Sequence, residues 1–217
     1  MPTRRFMDPK TKDSRMNDLF AAQGPRRLHM EGADVTLHES PDLGAHPTEL
    51  LEALKRDIPW EQRSIHIRGK GDVPQPRLIS WHGDVGYSYS GISMTLNPWT
   101  PVLETIRDSV ERITGCSFNS VLLNLYRHGR DSIGMHADDE KELGPRPTIA
   151  SISLGCERVF DMRRKDGSGS SVHIPLSHGS LLVMAGDTQR NWLHGIAKTR
   201  DQVGERINLT FRSTKAR

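Results

Sequence analysis

From residue 119 to its end the chain is a succession of short apolar runs broken by turn residues. The runs cover residues 120–126, 149–154, 158–162, 171–175, 180–184, 191–194 and 207–211. Clusters such as Asp166-Gly167-Ser168-Gly169 and Ala185-Gly186-Asp187 separate them. Many short strands at this spacing predict a sandwich or barrel, here a jelly roll with helices on one side. The expected class is therefore mainly β with flanking helices, an α+β architecture.

The first half of the chain supplies the helices. Thr48 is placed to cap a helix ending near Asp57, with Leu50, Leu51 and Leu54 on one face. Pro101 opens a second helix that Gly115 stops, and Val102, Ile106, Val110 and Ile113 recur three or four apart along it. A short strand is expected over residues 33–39. Residues 62–68 and 77–81 read as the two strands of a hairpin flap around Gly69-Lys70-Gly71-Asp72, Pro74 and Pro76. Residues 1–30 are polar and charged and read as a disordered basic leader, leaving 31–217 as one domain. Within the leader, Asp18-Leu19-Phe20 is an apolar island suited to anchoring on the domain or docking to a partner.

Charge and cysteine content narrow the setting. The 30 Lys and Arg against 27 Asp and Glu give a net charge of +3, which permits a nucleic-acid partner without requiring one. Cys116 and Cys156 are too few for a disulfide framework and lack zinc-site spacing, which fits a reduced compartment. No stretch approaches the roughly 20 apolar residues of a membrane span, and the N-terminal residues lack the apolar segment of a secretory signal. A cytoplasmic or nuclear monomer that does not engage membranes is expected.

Two motifs carry chemistry. In Gly134-Met135-His136-Ala137-Asp138 the His and Asp are two apart, so in extended chain both can reach one ion. Two imidazoles and one carboxylate on one face of iron would leave positions open for substrate and oxygen. His194 is the candidate second imidazole, with His178 and His173 as positional rivals, and a lone His-x-Asp is common on surface loops. The second motif is Arg206-Ile207-Asn208-Leu209-Thr210-Phe211-Arg212. On a strand its polar residues share one face, and two guanidiniums there suit a dicarboxylate. A solvated polar face would read the same way. Asn124 and Tyr126 add an amide and a phenol two apart on another strand.

Taken together, NSVLLNLYRHGRDSIGMHADDEKELGP, IASISLG, IPLSHGSLLVM, WLHG and RINLTFR resemble the AlkB family of 2-oxoglutarate/Fe(II) dioxygenases, especially the branch of the second human homologue. The resemblance runs from about residue 58 to 213. It implies a jelly-roll double-stranded β-helix core over about 117–213 and an N-terminal nucleotide-recognition lid over about 58–97. It implies Fe(II) ligation by His136, Asp138 and His194. It also implies 2-oxoglutarate binding by Asn124, Tyr126, Arg206, Asn208, Thr210 and Arg212, with O2 as the other reactant. Arg206 would take the distal carboxylate. Arg68, Lys70, Arg77, Tyr87, Tyr89, Ser90, Asp139 and Glu140 would meet the substrate, with Arg77 touching the duplex near the lesion. The implied reaction is oxidative demethylation of bases such as 1-methyladenine and 3-methylcytosine in DNA, releasing succinate, CO2 and formaldehyde. An oxygenase acting on RNA or protein, or a catalytically silent nucleic-acid-binding module, are the alternatives. One departure concerns the flap, where Arg68 stands at the place of the branch's aromatic wedge.

Overall fold

The computed structural model describes residues 24–215 except 68, 70, 87, 90, 91 and 94, with the backbone alone at 67, 88, 89, 92 and 93. The strands of the first half are β1 (Arg26–Leu28), β2 (Asp34–His38), β3 (Ser64–Ile67), β4 (Gly71–Pro74), β5 (Leu78–Gly83), β6 (Ser88–Tyr89), β7 (Ile92–Ser93) and β8 (Leu96–Asn97). Those of the second half are β9 (Ser120–Tyr126), β10 (Ile133–His136), β11 (Ile149–Gly155), β12 (Arg158–Arg164), β13 (Val172–Leu176), β14 (Ser180–Ala185), β15 (Trp192–Ile196) and β16 (Arg206–Arg212). The helices are α1 (Pro47–Asp57), α2 (Pro101–Thr114) and the single turn α3 (Thr188–Asn191).

Two sheets face each other. The larger runs β1-β2-β14-β11-β16-β9-β5-β8 and the smaller β10-β15-β12-β13, the arrangement of a jelly roll. Strand β16 lies at the centre of the larger sheet, and its alternation builds two interiors. Ile207, Leu209 and Phe211 join Leu50 and Leu54 of α1 and Leu103, Ile106 and Val110 of α2 in one core. Each such buried side chain contributes roughly 1.5–3 kcal/mol. The opposite face of β16 looks into the space between the sheets, where Tyr126, Phe160, Met162, Met184 and Trp192 form the second core. Helices on one side and a second sheet on the other leave β16 no solvent face. Its polar residues are buried in consequence.

Local chemistry sets the helix ends. Pro47 stands at the start of α1, with a φ already suited to a helix. His46, not the expected Thr48, is the cap, its Nδ1 accepting the Thr48 N–H at 3.3 Å. Helix α2 stops at Gly115, whose left-handed φ of 67° lets its N–H reach Glu111 O at 2.8 Å.

Two further expectations change. The flap closes earlier than its composition suggests, because β3 pairs with β4, residue 64 opposite 74. The expected return strand is instead β5, which joins the larger sheet against β9. Within the stretch read as a disordered leader, Arg26–Leu28 pairs with β2, since the apolar Leu28 packs against the second core. Residues 1–23, including Asp18-Leu19-Phe20, lie outside the described residues.

Gly155 ends β11 opposite Arg206 with φ 93°, and a Cβ there would collide with Glu205 O. Gly155→Ala is therefore expected to destabilise the protein by about 1–3 kcal/mol or more, from left-handed strain plus the displaced β16 start. Urea denaturation checks this; an unchanged midpoint would show that the β16 start gives way freely.

Candidate active site

Strands β10 and β15 pair so that His136 lies directly opposite His194. Cross-strand neighbours share a face, and here the imidazole centroids are 4.4 Å apart. The close approach depends on Gly195, where a Cβ would meet Ile133 O at 2.9 Å and Gly134 O at 3.1 Å. Two residues beyond His136, the Asp138 N–H donates to Gln189 Oε1 at 2.9 Å. The Asp138 carboxylate accepts from Arg212 Nη2 at 2.7 Å and lies 4.0 Å from His136 Nε2. The candidate ligand atoms of His136, Asp138 and His194 all fall within 4.8 Å of one another. Among the described residues no other group of three His, Cys, Asp or Glu converges in this way.

The rival histidines are elsewhere. His178 Nδ1 accepts the Gly155 N–H at 2.8 Å and its Nε2 is 3.2 Å from Thr48 Oγ1, so it ties α1 to the end of β11. His173 pairs with Asp161 at 2.6 Å on the exposed face of the smaller sheet.

The electrostatics of the three residues suit a divalent cation. Burial alone would raise the Asp138 pKa, but Arg212 and the two imidazoles outweigh it and hold the carboxyl at about 2. Burial, reinforced by His136, lowers His194 to about 3, so its imidazole is neutral with a lone pair to give. Asp138 Oδ2 and His194 Nδ1 are buried without a hydrogen-bond partner. Leaving such atoms unmatched costs about 1–3 kcal/mol each, a cost that a bound cation removes. His136 Nδ1 lies 2.9 Å from the Gly134 carbonyl oxygen, a contact that fixes the ring with Nε2 turned toward Asp138.

Beside this cluster the larger sheet supplies a polar wall. Register places Arg206 opposite Tyr126, Asn208 opposite Asn124, and Thr210 opposite Ser151. Arg206 is 1% exposed; its Nη2 donates to Ser153 Oγ at 2.9 Å, while its Nε and Nη1 meet no acceptor at hydrogen-bonding geometry. Asn208 Nδ2 donates to Ser151 Oγ at 2.8 Å, and Thr210 Oγ1 to Asn208 Oδ1 at 3.0 Å. His136, Asp138, His194, Asn124, Tyr126 and the four polar residues of β16 line one pocket. Gln189, Phe160 and the Ser151–Ser153 pair belong to the same site, and sequence reading passed over them. The alternating serines of IASISLG were the legible signal; Gln189 had none.

The expected substrate residues are less unified. Arg77 turns inward, donating from Nε to Asn124 Oδ1 at 2.8 Å and from Nη1 to Ser132 O at 3.3 Å. At 8% exposure it is buried behind Asn124, which lines the pocket. Exposed Asp139 pairs with Lys165 Nζ at 2.6 Å, and Glu140 keeps its Oε2 buried without a partner. Arg68, Lys70, Tyr87 and Ser90 lie outside the described residues, as does the side chain of Tyr89.

Comparison with known proteins meets this geometry. A family profile for the 2OG-Fe(II) oxygenase superfamily matches residues 44–212, which defines the class. Rat "Alpha-ketoglutarate-dependent dioxygenase alkB homolog 3" is 45% identical over 173 residues, covering 76% of this chain and 58% of that protein. Human "DNA oxidative demethylase ALKBH2" is 46% identical over 180 residues, covering 77% of this chain and 69% of that protein. The chain thus spans about three fifths of the rat protein's length. The solved structure of OsALKBH1 superposes with a TM-score of 0.59 over 87% of this chain at 16% identity, a likeness of fold. This chain belongs to the AlkB family of 2-oxoglutarate/Fe(II) dioxygenases. No helix among the described residues is long and apolar enough to cross a membrane.

Proposed function

We propose that this chain oxidatively removes N-linked methyl groups from bases in DNA, with Fe(II) held by His136, Asp138 and His194. The observation that carries the reading is one pocket joining a buried His-Asp-His cluster to two buried guanidiniums on the same face of β16. Its relatives, named as a dioxygenase and a DNA demethylase, support it. Iron bound with 2-oxoglutarate and O2 supplies the oxidising chemistry that a protein side chain lacks.

The residues of the chain do the rest. Arg206 binds the distal carboxylate of 2-oxoglutarate, with Asn124, Tyr126, Asn208 and Thr210 along the pocket wall and Arg212 at the metal end. Arg77 holds Asn124 in place. The lid over about 58–97, within a single domain from residue 31 onward, covers a base flipped from the stack. Arg68, Lys70, Tyr87, Tyr89 and Ser90 contact the nucleic acid, and Asp139 and Glu140 favour a cationic lesion. The protein works as a monomer in a reduced cytoplasmic or nuclear setting, consistent with its two free thiols.

The test is incubation with Fe(II), 2-oxoglutarate and methylated DNA and RNA oligonucleotides in parallel, reading formaldehyde and repaired base. Release from DNA at or above the RNA rate is expected. Release from RNA alone would move the substrate class, and release from neither would sink the reading.

The ion pair bounds the role of Asp139. Lys165 offsets part of its charge, and an exposed pair contributes only about 0–1 kcal/mol to stability. Asp139→Asn is expected to leave stability nearly unchanged and to lower activity on cationic 3-methylcytosine more than on a neutral etheno adduct. Equal losses on both lesions would remove the electrostatic role.

A further inference from the structure

We propose that Arg158, buried against Tyr126 behind the lining of the cosubstrate pocket, positions Tyr126 and Arg206 and favours a dicarboxylate over a monocarboxylate 2-oxo acid. This rests on the reading of Arg206 as the ligand of the distal carboxylate.

Arg158 opens β12 on the smaller sheet and is 5% exposed. Its Nη2 donates to Asp131 O at 3.1 Å and to Ala197 O at 2.6 Å. Asp131 lies on the loop that follows Tyr126, and Ala197 on the loop that leads into Arg206. One side chain therefore clasps both loops from which these two pocket residues emerge. Its guanidinium carbon also lies over the Tyr126 ring, 6.0 Å from the centroid, and that of Arg206 lies over the same ring at 5.2 Å. The two cations flank one aromatic side chain that is itself 2% exposed.

The acidic neighbours are engaged elsewhere. The Asp131 carboxylate pairs with Arg127 at 2.8 Å and offers Arg158 only its backbone carbonyl. Glu205, next to Arg206, pairs with Lys55 at 2.9 Å. Among the described residues neither Arg158 nor Arg206 has a carboxylate within ion-pair distance. Burial lowers the Arg206 pKa, Tyr126 opposes this, and the charge of Arg158 adds to it, so the two guanidiniums feel each other. Buried charges of one sign, held together without an anion, are costly. A neutral donor would serve a merely structural clasp without that cost. The surplus positive charge suits an anionic ligand end, and at separations of several ångströms one buried charge shifts an affinity by about tenfold.

The experiment measures dissociation constants of 2-oxoglutarate and pyruvate by calorimetry on the full chain loaded with Mn(II). Pyruvate shares the 2-oxo acid and lacks the distal carboxylate. Arg158→Met is expected to weaken 2-oxoglutarate about tenfold and pyruvate less than twofold. Arg158→Lys, which keeps the charge, should recover most of the 2-oxoglutarate affinity. Should Arg158→Met fail to fold, Arg158→Gln, which keeps an N–H donor without the charge, is held to the same criteria. Equal weakening of both acids, no weakening of either, or a lysine variant as poor as the neutral one would each overturn the proposal. Arg206→Met separates the two readings. If it leaves the 2-oxoglutarate-to-pyruvate ratio unchanged, the pocket assignment itself fails; if it collapses the ratio while Arg158→Met does not, only the role of Arg158 is lost.

Discussion

Asp138→Ala is expected to abolish metal-dependent turnover and to destabilise the metal-free protein at the same time. The carboxylate has two tasks. Its Oδ2 is buried without a hydrogen-bond partner beside two imidazoles, the place proposed for a metal ligand, and its Oδ1 accepts from Arg212 at 2.7 Å in a buried ion pair. Removing one partner of a buried pair costs roughly 3–5 kcal/mol, because the other charge keeps its desolvation. The pH dependence has a fixed sign. With its pKa held at about 2, below the ordinary carboxylate value, Asp138 contributes stability above the ordinary value, and that contribution is lost as pH falls through about 2. At neutral pH the full difference between wild type and Asp138→Ala is therefore on display in urea denaturation. His194→Ala should lose metal and turnover too, with no buried pair broken. His178→Ala should keep both, since His178 bonds Gly155 and Thr48 far from the triad. Calorimetric Mn(II) binding checks the set. Undiminished binding by Asp138→Ala, or binding lost in a folded His178→Ala, would overturn the ligand assignment.

The second large effect is at the opposite end of the pocket. Arg206→Lys is expected to raise the KM for 2-oxoglutarate by about one to two decades with a smaller change in kcat. Arg206 is 1% exposed, and Ser153 occupies one of its donors while its Nε and Nη1 meet no acceptor. Guanidinium presents a planar fork to a carboxylate, whereas ammonium is a point charge, and one charge-assisted bond amounts to about 1.5–3 kcal/mol. Steady-state kinetics at varied 2-oxoglutarate read the effect directly. A folded variant with unchanged KM would remove Arg206 from the site.

Much of this site was legible before the fold. The strand over residues 120–126 and the helix over residues 101–114 follow from periodicity and their Pro and Gly boundaries. They stand in the structure as β9 and α2 with those bounds. The contact of Arg77 with Asn124 was not legible, for a physical reason. A lone arginine after a proline-rich turn carries no mark of which face it takes, and only the pairing of β5 with β9, which sets residue 79 opposite Asn124, turns it toward that amide. The flap was misjudged because Gly and Pro mark turns without choosing which strand pairs across them.

By itself the sequence determined the alternation of β16 and the spacing of His136 and Asp138, because strand geometry sends residues two apart to the same side. It could not determine whether the polar face of β16 met water. Tertiary structure decided that, by laying a second sheet over the face and helices behind it, so the four polar residues are buried and must be matched. The partnership of His136 with His194 was likewise decided in three dimensions, by the register of β10 on β15 and the bare Cα of Gly195. So was the convergence on Tyr126 of Arg206 and Arg158, residues of opposite sheets that only the packing of those sheets brings together.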